Sequence, residues 1–148
     1  MIIYTIGYEG LDQRQFIAHL SHHGINVVAD VRKVPISHKK GFSKTSLKEL
    51  LNNSGIDYLN FRELGTPKEI REELSKTGNY KRFVKEYQKS LSGKKELLDA
   101  IHQFLDLGKK VALLCFERNP QECHRSILAE EIKKFNNNNL VIQHIVPL

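Results

Sequence analysis

The chain has 148 residues, 40% hydrophobic and 27% charged, a balance that excludes wholesale disorder and suffices for one domain with a sizeable core. No apolar run approaches the roughly 20 residues that span a bilayer, and Met1-Ile2-Ile3-Tyr4-Thr5 reads as a strand rather than a signal peptide. Two cysteines and a net charge of +6 exclude a disulfide scaffold, fit a cytoplasmic protein, and favour anionic partners, whether a small anion or nucleic acid.

Strand and helix signals alternate from end to end. Residues 2–6 are β-branched and aromatic, and Gly7 closes them. Asp12 with Gln15 forms a capping box, Leu11 and Phe16 a hydrophobic staple, and the helix that follows ends at Gly24. Residues 27–31 are a second strand, apolar until Asp30, as expected where helices cover both faces of a sheet. Ser46 and Glu49 read as a capping box on a helix that buries Leu47, Leu50 and Leu51. A short third strand follows around Asp57-Tyr58-Leu59.

Thr66-Pro67-Lys68-Glu69 opens another helix, with proline at its first position. Tyr80, Phe83, Val84, Tyr87 and Leu91 share one helical face, and Leu97, Leu98, Ile101 and Leu105 repeat the pattern. Residues 110–115 are the clearest buried strand, followed by a helix over 120–135, a loop at the asparagine run 136–139 and a last strand at 141–145. Repeated β-α units imply a single three-layer α/β domain over 1–148, with a mainly parallel sheet of about five strands. The segment 62–93 carries two helices without a strand and reads as an insertion or lid over one sheet edge.

In open parallel sheets, ligands sit beyond the carboxyl ends of the strands. That rule selects Gly7, Tyr8 and Glu9, then Asp30, Arg32, Lys33 and Ser37, then Glu63 and Gly65, then Cys115, Glu117 and Arg118. The densest cluster runs from Cys115 to Arg125. Asn119 caps the predicted helix, Pro120 opens it and Glu122 completes a capping box, so Cys123 and His124 fall in the first turn, where the helix dipole favours anions. His124 shares a stripe with Leu128, Ile132 and Phe135 and faces the sheet, towards Cys115.

Three chemical readings compete there. Arg32, Arg118 and Arg125 suit a phosphate or carboxylate. Cys123 suits an activated thiolate. Cys115, Cys123, His124 and Glu117 offer zinc-type donors, but their spacing is not a two-residue hook and neighbours on a helix diverge, so no metal is assigned. Plain structural readings stand beside these: Cys115 as a small core residue, Asp30 with Arg32 as an ion pair, and His124 as a core histidine bonded to backbone. Lys33, Lys39 and Lys40 are solvated loop charge or the extension of an anion-binding surface. No glycine-rich phosphate loop supports a nicotinamide cofactor or ATP, and no cofactor is assigned.

Thr5-Ile6-Gly7-Tyr8, Asp30-Val31-Arg32 with Pro35 and Ser37, Gly55-Ile56-Asp57-Tyr58, Glu63-Leu64-Gly65, and Leu114-Cys115-Phe116-Glu117 leading to Cys123-His124-Arg125 together resemble the domain-of-unknown-function 488 family. The resemblance implies a small prokaryotic α/β domain of Rossmann-like or flavodoxin-like topology and names no reaction. The sequence departs from that pattern at His38, Thr66 and Phe116, where an arginine, a glycine and a small residue are expected. The leading expectation is an enzyme acting on an anionic nucleotide, nucleic-acid or phosphorylated substrate. His124, Cys123, Glu117 and Glu63 would supply the chemistry, and Gly7, Tyr8, Asp30, Arg32, Ser37, Gly65, Arg118 and Arg125 the binding surface. The alternative is a nucleic-acid-binding or regulatory module without catalysis.

Overall fold

The computed structural model describes residues 1–35, 37, 39–135 and 139–146, and of Glu122 the backbone only. His38, most of the asparagine run expected as a loop, and the Glu122 half of the expected capping box lie outside the described residues. Five parallel strands form one sheet: β1 (Ile2–Gly7), β2 (Val27–Asp30), β3 (Asp57–Asn60), β4 (Val111–Cys115) and β5 (Val141–Ile145). The helices are α1 (Gln13–His22), α2 (Lys44–Asn53), α3 (Lys68–Thr77), α4 (Tyr80–Leu91), α5 (Lys95–Asp106) and α6 (His124–Phe135). None is long and apolar enough to cross a membrane.

The strand order is β3-β2-β4-β1-β5. The fold class is the α/β arrangement anticipated from the sequence, but this order differs from both the Rossmann 3-2-1-4-5 and the flavodoxin 2-1-3-4-5 patterns, because β4 is inserted between β1 and β2. Alternation along β4 serves both helical layers. Ala112 and Leu114 join Phe16, Leu20, Leu47 and Leu51 of α1 and α2 in one core. Val111 and Leu113 join Phe83 and Tyr87 of α4, Leu98 and Ile101 of α5, and Leu128 and Ile132 of α6 in the other. The chain therefore leaves β1 across one face and leaves its neighbour β4 across the other. Their carboxyl ends bound a switch-point crevice.

Local signals held where geometry left them free. Asp12 caps α1 in a full capping box with Gln15. Four expectations need correction, the last of them at 120–135. α2 begins at Lys44 after Ser43 rather than at Ser46; the Ser43 hydroxyl bonds the backbone of Ser37 instead of capping the helix. Pro67 stands just before α3, extended at φ −56 and ψ 145, not inside its first turn. The strand-free segment 62–93 does hold α3 and α4, but α4 is no edge lid. Its Tyr87 is fully buried among the core residues and donates to the Leu64 carbonyl at 2.6 Å.

The expected helix over 120–135 is broken. A 3-10 turn spans Pro120–Glu122, Cys123 is extended at φ −129 and ψ 143, and α6 starts only at His124. Asn119 does cap, but it caps the short turn, accepting from the Gln121 amide. Cys123 takes the position before α6, and its sulfur accepts the Arg125 amide at 3.5 Å. This break decides the geometry of the site.

Candidate functional site

A cleft of about 390 Å³ opens at the crevice beyond β1, β2 and β4. Its lining includes Tyr8 after β1, Arg32, Lys33, Ser37 and Lys39 after β2, Cys115, Phe116 and Glu117 at the end of β4, Thr66 and Arg71 near α3, and His124 from α6. A volume of this size falls in the range of small-molecule sites.

One wall is a closed polar network. The Arg32 guanidinium meets Asp30 in two bonds, Nε to Oδ1 at 2.8 Å and Nη2 to Oδ2 at 2.7 Å. Its Nη1 donates to the Phe42 carbonyl at 2.6 Å and to the Tyr8 hydroxyl at 3.2 Å. Four of the five guanidinium donors are thus taken within the protein. The Tyr58 hydroxyl donates to Asp30 Oδ2 at 2.5 Å, and Tyr8 donates onward to Ser37 at 3.1 Å. Burial opposes the charge on Arg32, but the bonds and charge of Asp30 outweigh it and hold the guanidinium above its ordinary pKa. Burial, and then the bond to Asp30, push the Tyr58 hydroxyl up. Tyr8 is clamped as well, stacked on Phe42 with ring centroids 4.6 Å apart.

The floor is different in kind. Cys115, Cys123 and His124 are all buried. His124 Nε2 lies 2.8 Å from the Val31 carbonyl; a carbonyl only accepts, so Nε2 carries the proton and Nδ1 of the neutral ring is bare. That Nδ1 faces Cys115 Sγ at 3.7 Å and Cys123 Sγ at 3.8 Å. Cys115 also donates to Glu117 Oε2 at 3.3 Å. Burial opposes protonation of His124, but the Cys123 sulfur, the Val31 carbonyl and Glu117 outweigh it and raise its pKa. Burial, with help from Cys115, pushes the Cys123 thiol well up, although His124 draws it down. Protein groups alone do not make Cys123 a thiolate, so its place at a helix start does not by itself activate it.

Residues 12–132 match the family described as Domain of unknown function DUF488. The chain belongs to this family. No curated protein and no solved structure matches it. The matched span contains every residue that lines the cleft except Tyr8.

Of the residues expected at the site, the cleft brings together Tyr8, Arg32, Lys33, Ser37, Cys115, Glu117 and His124. Asp30 and Cys123 lie directly behind them. Gly7 and Gly65 act through the room they leave: a methyl group at Gly7 would strike the Glu117 carbonyl, and one at Gly65 the Lys33 backbone. Arg125 is fully buried and donates to the Glu117 carbonyl at 2.5 Å and the Arg118 carbonyl at 3.1 Å. It shapes the loop after β4 rather than facing the cleft. Arg118 is outside the lining, and its amide donates to the Glu9 carboxylate. Glu63 is exposed and outside the cleft lining, and its carbonyl accepts from Lys94.

Arg71 and Thr66 belong to the cleft and were not anticipated. Arg71 sits in α3, none of whose residues is buried, and no local spacing marks it as part of a site.

Proposed function

We propose that the protein is an enzyme acting on a small anionic substrate, such as a nucleotide or phosphorylated metabolite, held beyond the strand ends. The observation that carries this reading is the pairing of a basic wall with a reactive floor. Lys33, Lys39 and Arg71 line the same cleft as Cys115, Glu117 and His124. The basic side chains hold the anion. Glu117 moves protons, and the thiol-imidazole group beneath it supplies the reacting centre. Arg32, committed to Asp30, sets the shape of the wall. Reduced cysteines suit the cytoplasm as the place of work.

Thermal melting against nucleotides, phosphosugars and short oligonucleotides tests the reading. A ligand at 100 times its Kd adds about 2.7 kcal/mol of stability. The expected result is a raised Tm with one class of small anion that disappears in Arg71→Ala, whose own melting stays near the parent's. A response to oligonucleotides only, equal in parent and variant, would replace the enzyme with a surface-binding module.

A further inference from the structure

We propose that Cys115, Cys123 and His124 bind one zinc-type divalent cation, with a fourth coordination position open to the cleft. The inference rests on the cleft reading above and gives its floor a chemical agent.

The donor atoms, two Sγ and the His124 Nδ1, lie within 4.8 Å of one another, and no other such group of three occurs among the described residues. The nitrogen stands 3.7 and 3.8 Å from the two sulfurs. Donors sharing one tetrahedral zinc, with Zn–S about 2.3 Å and Zn–N about 2.0 Å, sit roughly 3.5–3.8 Å apart. The two nitrogen–sulfur separations are therefore close to coordinated dimensions, and the sulfurs lie within 4.8 Å of each other.

The objection raised by sequence spacing is removed by the chain itself. Residues adjacent on a helix diverge, but Cys123 is extended and only His124 is helical. That single change of backbone folds the sulfur back onto the imidazole. The Val31 carbonyl behind Nε2 is the kind of outer partner that orients a ligating histidine. The Arg125 amide pointing at Cys123 Sγ favours negative charge on that sulfur.

Charge also balances. Two thiolates neutralise a divalent ion, so the buried site carries no net charge once the two thiol protons leave to solvent. Soft sulfur with imidazole selects zinc over magnesium or calcium. Cys115 and His124 line the cleft while Cys123 lies behind them, so the ion has an entry path and an accessible side. Glu117, 3.3 Å from the Cys115 sulfur, stands beside that side.

The test uses the whole protein after treatment with a chelator. Titration with Co²⁺ should give intense visible bands of a tetrahedral site and a thiolate-to-metal charge-transfer band, and Zn²⁺ should abolish both. Zn²⁺ should also protect both cysteines from alkylation. Cys123→Ser and His124→Ala should lose the cobalt spectrum while keeping the parent's circular dichroism; if either fails to fold, alkylation of the parent decides. No cobalt spectrum, together with alkylation rates indifferent to Zn²⁺, overturns the metal site. Small-anion stabilisation, measured in the same metal-free protein and in Arg71→Ala, is read separately. If it persists without a cobalt spectrum, the cleft reading stands and the metal site falls. If the cobalt spectrum appears without any anion response, the metal site stands and the anion reading falls.

Discussion

At the end of β2, Asp30, Arg32, Tyr58 and Tyr8 satisfy one another; at the end of β4, two thiols face a single bare imidazole nitrogen. Both clusters are buried and both meet the same cleft. The first holds two opposite charges whose donors and acceptors close on themselves, as buried charge requires. The second holds soft, weakly bonded groups that lose little by changing partners. A strand-end arginine and carboxylate look more like a functional pair than two cysteines do, yet here the charged pair builds the wall and the cysteine cluster is left with unspent bonding capacity.

The contrast is open to attack. The largest effect belongs to Asp30→Ala, which strands a buried guanidinium and the Tyr58 hydroxyl. It should lose about 3–5 kcal/mol of stability in urea unfolding, and a loss below about 1 kcal/mol would mean that the network is not structural. Removing the soft side should cost far less. In chelator-treated protein, Cys115→Ala should unfold within about 1 kcal/mol of the parent, and a loss as large as that of Asp30→Ala would make the cysteine cluster structural too.

The smallest effect concerns His144 on β5, whose Nδ1 lies 2.6 Å from the Thr5 hydroxyl. Burial, and then the charge of Arg125, lower its pKa below the ordinary 6.5. The unfolded chain therefore takes up a proton that the folded chain resists. This contribution to stability is complete above pH 6.5 and is lost as pH falls from there towards the folded value. His144→Gln should remove that part of the acid loss, seen as a shallower slope of stability against pH than the parent's; an unchanged slope would show that folding does not lower the His144 pKa.

Much of this was legible in advance. The five strands, the capping box at Asp12 and the inward facing of His124, Leu128 and Ile132 follow from periodicity and composition, which act over a few residues, although Phe135 of the same stripe is exposed. What was hidden depends on distance or on competing local bonds. Ser46 with Glu49 has the form of a capping box, but the chain turns helical earlier, at Lys44. The helix expected through Cys123 breaks there, and no residue in 120–125 is a helix breaker after Pro120. Arg71 reaches the cleft only because the fold carries α3 to the strand ends, a placement that no local pattern in its helix announces. Glu63 follows β3 in the same turn that brings Gly65 against Lys33 and Thr66 into the cleft, yet it stays outside the lining itself.

The insertion of β4 between β1 and β2 also governs when the molecule can form. Ile3 is in register with Val111 and with Ile142, while β2 touches only β3 and β4. As the chain is synthesised, its first strand has no partner until β4 emerges, and closing so long a loop is slow. An apolar strand held open for that time invites association with other chains. The cleft draws on residues after β1, β2 and β4, on α3 and on α6, so it is complete only once α6 has docked. A ligand that fits it therefore binds no chain that still lacks α6.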